Sequence, residues 1–313
     1  MMTSASVTPV LLGIPVATLA LIVSLLSFSA ALGALGWQIA KHRLDGGRPK
    51  VYLNAALWMP NSSILVNRSG KWELSTEGLH SPGCENIELA QLVVENPGRT
   101  AITVFTPGLA VEGTGKPDYS ISPRGFELRT YGADRSTTET SVRLDPYDRV
   151  TFLMDYWSVV PQLLSEANGG GIQLRGCISV AGSNKLCKSR KRLAWNIPAG
   201  AWTARTDIEE IQPYTVIWRE LFKANVKKHS SDDEEDGFPG FSLGVILRKA
   251  MQKFHERPNV SDFIDALRQA QREDELSELG PIMCAPLLAS MDESLDRHEG
   301  HLSAWPTMPT RSA

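Results

Sequence analysis

The sequence predicts a mainly β fold: an antiparallel sandwich with an apolar helix at its N-terminus and further helices at its C-terminus. Three observations point there. No charged side chain occurs before Lys41. Between Val51 and Ala204 the chain breaks into short apolar runs, several alternating with polar residues and divided by Gly, Pro, Asn and Asp. Half-buried strands joined by tight turns have that pattern, and many of them at regular spacing favour a sandwich or barrel over a parallel sheet. Beyond Ala204 the apolar residues recur every three or four positions, the period of a helix with one buried face.

Residues 1–12 read as a short tail and residues 13–40 as a transmembrane helix. A span needs about 20 apolar residues, and Gly13 to Trp37 supplies them without a charge. Pro15 suits a first helical turn and Trp37 suits the headgroup layer. A cleaved signal peptide is the competing reading, with small residues around Ser27–Ala31 imitating a cleavage site. Such a peptide, however, opens on a positive segment and has a shorter apolar run. Residues 41–50 form a basic juxtamembrane linker in which Lys41, Arg43, Arg48 and Lys50 flank the span. Positive residues near a span stay cytoplasmic. The expectation is a single-pass protein of the cell membrane, N-terminus outside and soluble domain in the cytoplasm, where its cysteines stay reduced. The small-residue pairs Ser29/Gly33 and Ala30/Ala34 would let two such helices approach closely, which makes a homodimer one expectation.

In the sandwich domain, residues 51–204, strands are expected at 51–58, 87–96, 101–106, 109–113, 125–131, 141–144, 149–155, 172–180 and 185–195. NPGR at 96–99 and AGSN at 181–184 read as tight turns, and residues 156–168 as a short helical insertion ended by three glycines. The stretch ELAQLVVENPGRTAITVFTPGLAVEG is an alternating strand, an Asn-x-Gly-Arg turn and a strand ending in Gly-Leu. It resembles a pattern in bacterial immunoglobulin-like sandwiches. Taken with the N-terminal span, its Trp and basic flank, RLDPYDRVTF and the last hairpin, residues 10–200 resemble uncharacterised single-pass bacterial membrane proteins. The resemblance implies an immunoglobulin-like fold and brings no catalytic residues with it.

Thr206-Asp207-Ile208-Glu209 reads as a capping box. It would open an amphipathic helix over 205–229, with Tyr214, Ile217, Trp218, Leu221, Phe222 and Asn225 in period and Pro213 starting or kinking its main part. Residues 230–240 are an acidic, flexible linker. In the helical segment 241–291, Leu243, Ile246, Leu247, Ala250, Met251 and Phe254 line one face. Pro258 ends that helix, and Ser261 caps the next, with Phe263, Leu267 and Ala270 inward. The polar tail 292–313 reads as disordered. The helices pack on each other or on the sandwich, or hold a protein partner.

Several motifs evoke chemistry. Gly240-Phe241-Ser242-Leu243-Gly244 matches the nucleophile elbow, with Asp262 or Asp265 and then His298 or His301 following in order. The elbow needs a strand entering a sharp turn, and an acidic linker stands there instead. His298-Glu299-Gly300-His301 sets its histidines three apart, where a zinc helix needs four. Gly113-Thr114-Gly115-Lys116 evokes a phosphate loop, but Pro117 stands where Ser or Thr would hold magnesium. Cys177 and Cys187 fall on the two arms of the AGSN hairpin, nearly opposite, where an oxidising compartment would allow a bridge. Asn61, Asn67 and Asn259 open glycosylation sequons, which matter only for a lumenal domain.

The dense basic cluster is Lys185, Lys188, Arg190, Lys191 and Arg192. On one strand, Lys188, Arg190 and Arg192 would share a face. The cluster suits anionic lipid headgroups, or an acidic partner, or an edge strand guarded by charge. A net charge of −3 and the absence of interleaved aromatics argue against nucleic acid. The reading that follows is a membrane-anchored, non-catalytic binding or scaffolding protein with no catalytic, cofactor or metal residues. A serine hydrolase using Ser242 and an exported ligand-binding sandwich are the alternatives.

Overall fold

The structure is a computed structural model and describes residues 10–11, 14–59, 64–77, 86–117, 119–126, 136–225, 240–273 and 284–305. A minimal hairpin of β1 (Val10–Leu11) and β2 (Ile14–Pro15) precedes α1 (Val16–Asp45). Residues Val16–Lys41 of α1 are long and apolar enough to cross a membrane, and among the described residues none of them is buried. The helix runs past the expected end at Ala40 and takes in Lys41 and Arg43, because no breaker stands before Gly46-Gly47 and Pro49. Only three residues, Gly46, Gly47 and Arg48, separate its last residue from Pro49 and the first strand of the domain.

That strand is β3 (Lys50–Trp58), followed by β4 (Ile64–Asn67), β5 (Ile87–Glu95), β6 (Ile102–Glu112), β7 (Ser120–Ile121), β8 (Gly125–Phe126), β9 (Ser141–Leu144) and β10 (Arg149–Met154). The short α2 (Val160–Glu166) intervenes before β11 (Ile172–Val180), β12 (Cys187–Lys188) and β13 (Trp195–Ile197). One sheet has the order β4-β3-β5-β10-β8; the other runs β12-β11-β6-β7, with β13 beside β11 and β9 beside β6. Every pairing between these strands is antiparallel. Alternation sends Val51, Leu53, Leu92 and Val94 of the first sheet inward to meet Val104, Leu109, Leu174 and Ile178 of the second. The two sheets thus enclose one core. The expected strands 101–106 and 109–113 are one strand, β6, whose pairing with β11 shifts register between Cys177 and Ser179. A bulge absorbs Pro107 there.

The other face of the first sheet is covered by α3 (Pro213–Asn225), α4 (Gly240–Met251), α5 (Val260–Glu273) and α6 (Ala285–Arg297). Ala56, Trp58, Ile87, Leu89, Phe126 and Leu153 of the sheet share a second core with Trp218, Phe222, Leu247, Phe263, Leu267 and Met291 of the helices. The helices are therefore a layer of the same folded unit. About 36% of the chain is helix and about 29% strand, so two sheets with a helical layer describe it better than a mainly β fold.

Four local expectations are corrected. Residues 206–212 are not helical: Thr206 donates its backbone N–H (2.9 Å) and its hydroxyl (3.2 Å) to the carbonyl of Leu74, and α3 starts at Pro213. Asn259, not Ser261, caps α5, its side-chain oxygen accepting the Asp262 N–H at 2.9 Å. The tail from Asp292 is structured over its described residues, in a helix to Arg297 and a 3-10 turn at Glu299–His301, because Leu287, Met291 and Leu295 form one buried helical stripe. The strand expected over 185–195 is broken. Lys188 pairs with Cys177 and Trp195 with Leu174, so six residues face two, and the surplus forms a 3-10 turn at Lys191–Leu193. The expected strand 125–131 is described only for Gly125–Phe126, and the acidic linker 230–240 only for Gly240.

Candidate functional site

Where α1 meets the sheets, Asn96 organises the junction. Its side chain is fully buried within the turn after β5. Its oxygen accepts the N–H groups of Arg48 and Gly98, both at 3.2 Å. Its amide donates to the carbonyls of Thr100 (2.9 Å), Asp145 (3.1 Å) and Leu144 (3.3 Å). One side chain therefore ties together backbone groups of three turns, and the Gly98 N–H and Leu144 carbonyl among them are buried. A Cβ on Gly98 would lie 2.3 Å from the Gly46 carbonyl oxygen and 2.9 Å from the Arg48 nitrogen, so only glycine lets the two chain segments touch. Arg99 pairs with Asp45 at 3.4 Å, and the Thr100 hydroxyl donates to the Asp45 carbonyl. The end of α1 is thereby fastened to the NPGR turn.

A second cluster fastens the helical layer. Glu88 is 1% exposed, and its carboxylate accepts from Thr203 Oγ1 (2.7 Å), Tyr156 OH (2.8 Å), the Ala204 N–H (3.0 Å) and Arg219 (3.2 Å). Arg219, in the middle of α3, also donates to the Asn86 carbonyl at 3.3 Å and stacks 3.7 Å above the Trp157 ring. His298 stacks on Trp157 at 4.1 Å. Burial, then the neighbouring Glu88 charge, pushes the Tyr156 hydroxyl well above its ordinary range. Four donors surround the carboxylate and no solvent reaches it, so the cluster holds structure and is not arranged for turnover. It was legible in outline. Alternation puts Glu88 on the same inward face as Ala90, Leu92 and Val94, and Arg219 interrupts the apolar run of α3. What the pattern does not give is that these two charges meet.

The basic cluster is spread along one edge. Lys185 lies in the hairpin turn, Lys188 on β12, Arg190 in an extended link, and Lys191 and Arg192 in the 3-10 turn. The shared face expected for Lys188, Arg190 and Arg192 does not form, because the surplus residues leave the strand. Arg175 reaches across to the Ser189 carbonyl (Nε, 2.8 Å) and pairs with Glu112 at 3.6 Å. Lys41, Arg48 and Lys50 are exposed, and Arg43 is helical.

Cys177 is opposite Lys188, and Cys187 opposite Ile178. Neighbouring residues of a strand point to opposite faces, so the two thiols are on opposite sides of the sheet and unbridged. Burial raises the Cys177 thiol to about 11 and raises Cys187 and Cys284 as well. Ser242 belongs to the first turn of α4, so the residues described around it show helix and no elbow. His298 and His301 stack on Trp157 and on Trp202, the latter at 5.4 Å. Gly113, at φ 106°, opens the loop from β6 to β7, and Lys116 of that loop pairs with Glu166 of α2 at 2.7 Å. The Asn67 amide donates to the Glu73 carbonyl at 2.6 Å, and Asn61 lies outside the described residues. Among the described residues no group of His, Cys, Asp and Glu is placed to hold a metal ion.

Set beside known proteins, the chain matches no family model, no curated protein and no solved structure.

Proposed function

We propose that this protein is a membrane-anchored, non-catalytic binding or scaffolding module. In this reading α1 crosses the cell membrane once with its N-terminus outside, and the two sheets are an immunoglobulin-like sandwich on the cytoplasmic side. The observation that carries it is α1, a long apolar helix left unburied among the described residues yet fastened at its end to the Asn96 turn. A free apolar helix of that length in water would expose far more apolar surface than a soluble protein tolerates. Lys41, Arg43, Arg48 and Lys50 at its C-terminal end, with no charge at the other, support the orientation.

A protein partner would meet the outer faces of the helical layer, because the inner faces are spent on the second core. Asp265, Arg268, Gln269 and Arg272 of α5 point outward. Deleting the helices would expose that core, so surface charge reversals are the proper probe. A homodimer is a second reading, favoured by Ser29 and Gly33 lying exposed one helical turn apart on α1.

Cys177 and Cys284 are buried, which makes them poor reporters of topology. The test is Asn184→Cys, in the exposed hairpin turn, with a membrane-impermeant thiol reagent on intact and lysed cells. Labelling only after lysis supports the cytoplasmic sandwich. Labelling of intact cells overturns the orientation, and loss of the protein from the membrane fraction overturns the anchor.

A further inference from the structure

The end of the two sheets nearest α1 carries a collar of charge and one aromatic side chain. The register defines this end. Lys50 of β3 and Arg149 of β10 both stand opposite Glu95, Leu144 stands opposite Ile102, and Val180 stands opposite Val104. The turns 95–100, 143–149 and 181–188 are therefore brought beside segment 45–50, where α1 ends.

Those four segments hold seven basic residues, Arg48, Lys50, Arg99, Arg143, Arg149, Lys185 and Lys188, against four acidic ones, while the whole chain is at −3. Of the seven, all but the half-buried Lys188 are exposed. Two of the acids are already answered within the chain, Asp45 by Arg99 at 3.4 Å and Asp145 by Arg143 at 3.7 Å. Tyr147, at the tip of the β9–β10 turn, is 72% exposed. Among the described residues it is the one large apolar or aromatic side chain exposed outside α1. Its backbone sits at φ 66°, unusual for a residue with a side chain, and is held there by its N–H donating to the Asn96 carbonyl at 2.8 Å. The fold thus holds an aromatic ring outward at a backbone cost.

The distances leave little room for anything else at this end. From Lys41 to Asp45 the helix advances about 6 Å, the depth of one headgroup layer. We infer that this end of the sandwich is a docking face for anionic phospholipid, with Arg48, Lys50, Arg149 and Lys185 at the phosphates and Tyr147 in the interface. Tyrosine and basic side chains are the residues that suit that layer. Arg190, Lys191 and Arg192 run down the edge away from it. The inference rests on the membrane-anchored reading.

The test uses the full chain in nanodiscs of phosphatidylcholine alone or doped with phosphatidylglycerol, read by hydrogen exchange. Exchange at 95–100, 143–149 and 181–188 should slow several-fold in the anionic discs and recover in high salt. The pair Arg149→Glu and Lys185→Glu, both exposed, should abolish the difference while leaving protection in β3 and β5 unchanged. Equal exchange in both discs would overturn the docking face alone, as would a difference that survives the charge reversals. A chain that enters neither disc would overturn the anchor, and the docking face with it.

Discussion

The domain makes two attachments, and they are built from opposite materials. At one end the sheets hold α1 through backbone contacts, an asparagine, and an exposed ion pair. On the flank they hold the helices through a large apolar core with an ion pair sealed inside it. The first attachment buries little surface, so it fixes direction more than it adds stability. The second buries Trp58, Trp218 and Phe222 against one another, with Trp58 and Phe222 rings 4.8 Å apart, so it is inseparable from folding. A helix fastened only by polar turns can be released while the domain stays folded. A helical layer sharing the core cannot.

Breaking the sealed pair should have the largest effect. Glu88→Ala leaves Arg219 buried without its counter-charge and should cost about 3–5 kcal/mol in chemical denaturation. Replacing Glu88 and Arg219 together with methionine should recover much of that loss. No recovery would mean that the carboxylate's hydrogen bonds, and not its charge, hold the layer. Asn96→Ala should cost roughly 2–3 kcal/mol by stranding backbone groups of three turns, and Gly98→Ala should loosen α1 from the domain by driving Gly46 away. Protease sensitivity at residues 45–50, rising without a matching fall in the domain's unfolding midpoint, would show that release.

A smaller effect concerns Asp207. Burial would raise its carboxyl, but hydrogen bonds from Arg205, with an ion pair at 2.6 Å, and from Thr76 hold it at about 2. A carboxyl depressed in the folded state stabilises above its ordinary value of 3.8, and that stability fades as pH falls toward 2. Solvent screening leaves it about 1 kcal/mol. Asp207→Asn should remove this contribution at neutral pH and converge with the parent protein near pH 2. The smallest effect should be Asp45→Asn. Its partner Arg99 is exposed, so the change should cost under about 0.5 kcal/mol and diminish in salt.

How much of this was legible depended on whether the signal was local. The apolar helix, the NPGR turn and the amphipathic stripe of α4 each announce themselves within a dozen residues. The broken edge does not. Residues 185–195 alternate well enough for a strand, and only the pairing of Lys188 and Trp195 with neighbours three apart on β11 shows the surplus. Thr206 reads locally as a cap, while its competitor, the Leu74 carbonyl, is far away in sequence. The ordered tail was readable and was hidden by its polarity: Leu287, Met291 and Leu295 are spaced four apart among charged residues. Of the buried cluster, each charge stands out locally, while their meeting depends on a contact over 131 positions.

The 3-10 turn on the outer edge of the second sheet has a bearing on crowding. Proteins held in a surface meet their own copies far more often than proteins free in three dimensions, and an open strand edge under those conditions invites sheet-to-sheet growth. Here the edge strand is only two residues long before it breaks, and Arg190, Lys191 and Arg192 stand exposed in the break. Two copies side by side would bring like charges together before a single ladder bond could form. The irregularity that spoils the strand would keep neighbouring copies from joining sheet to sheet.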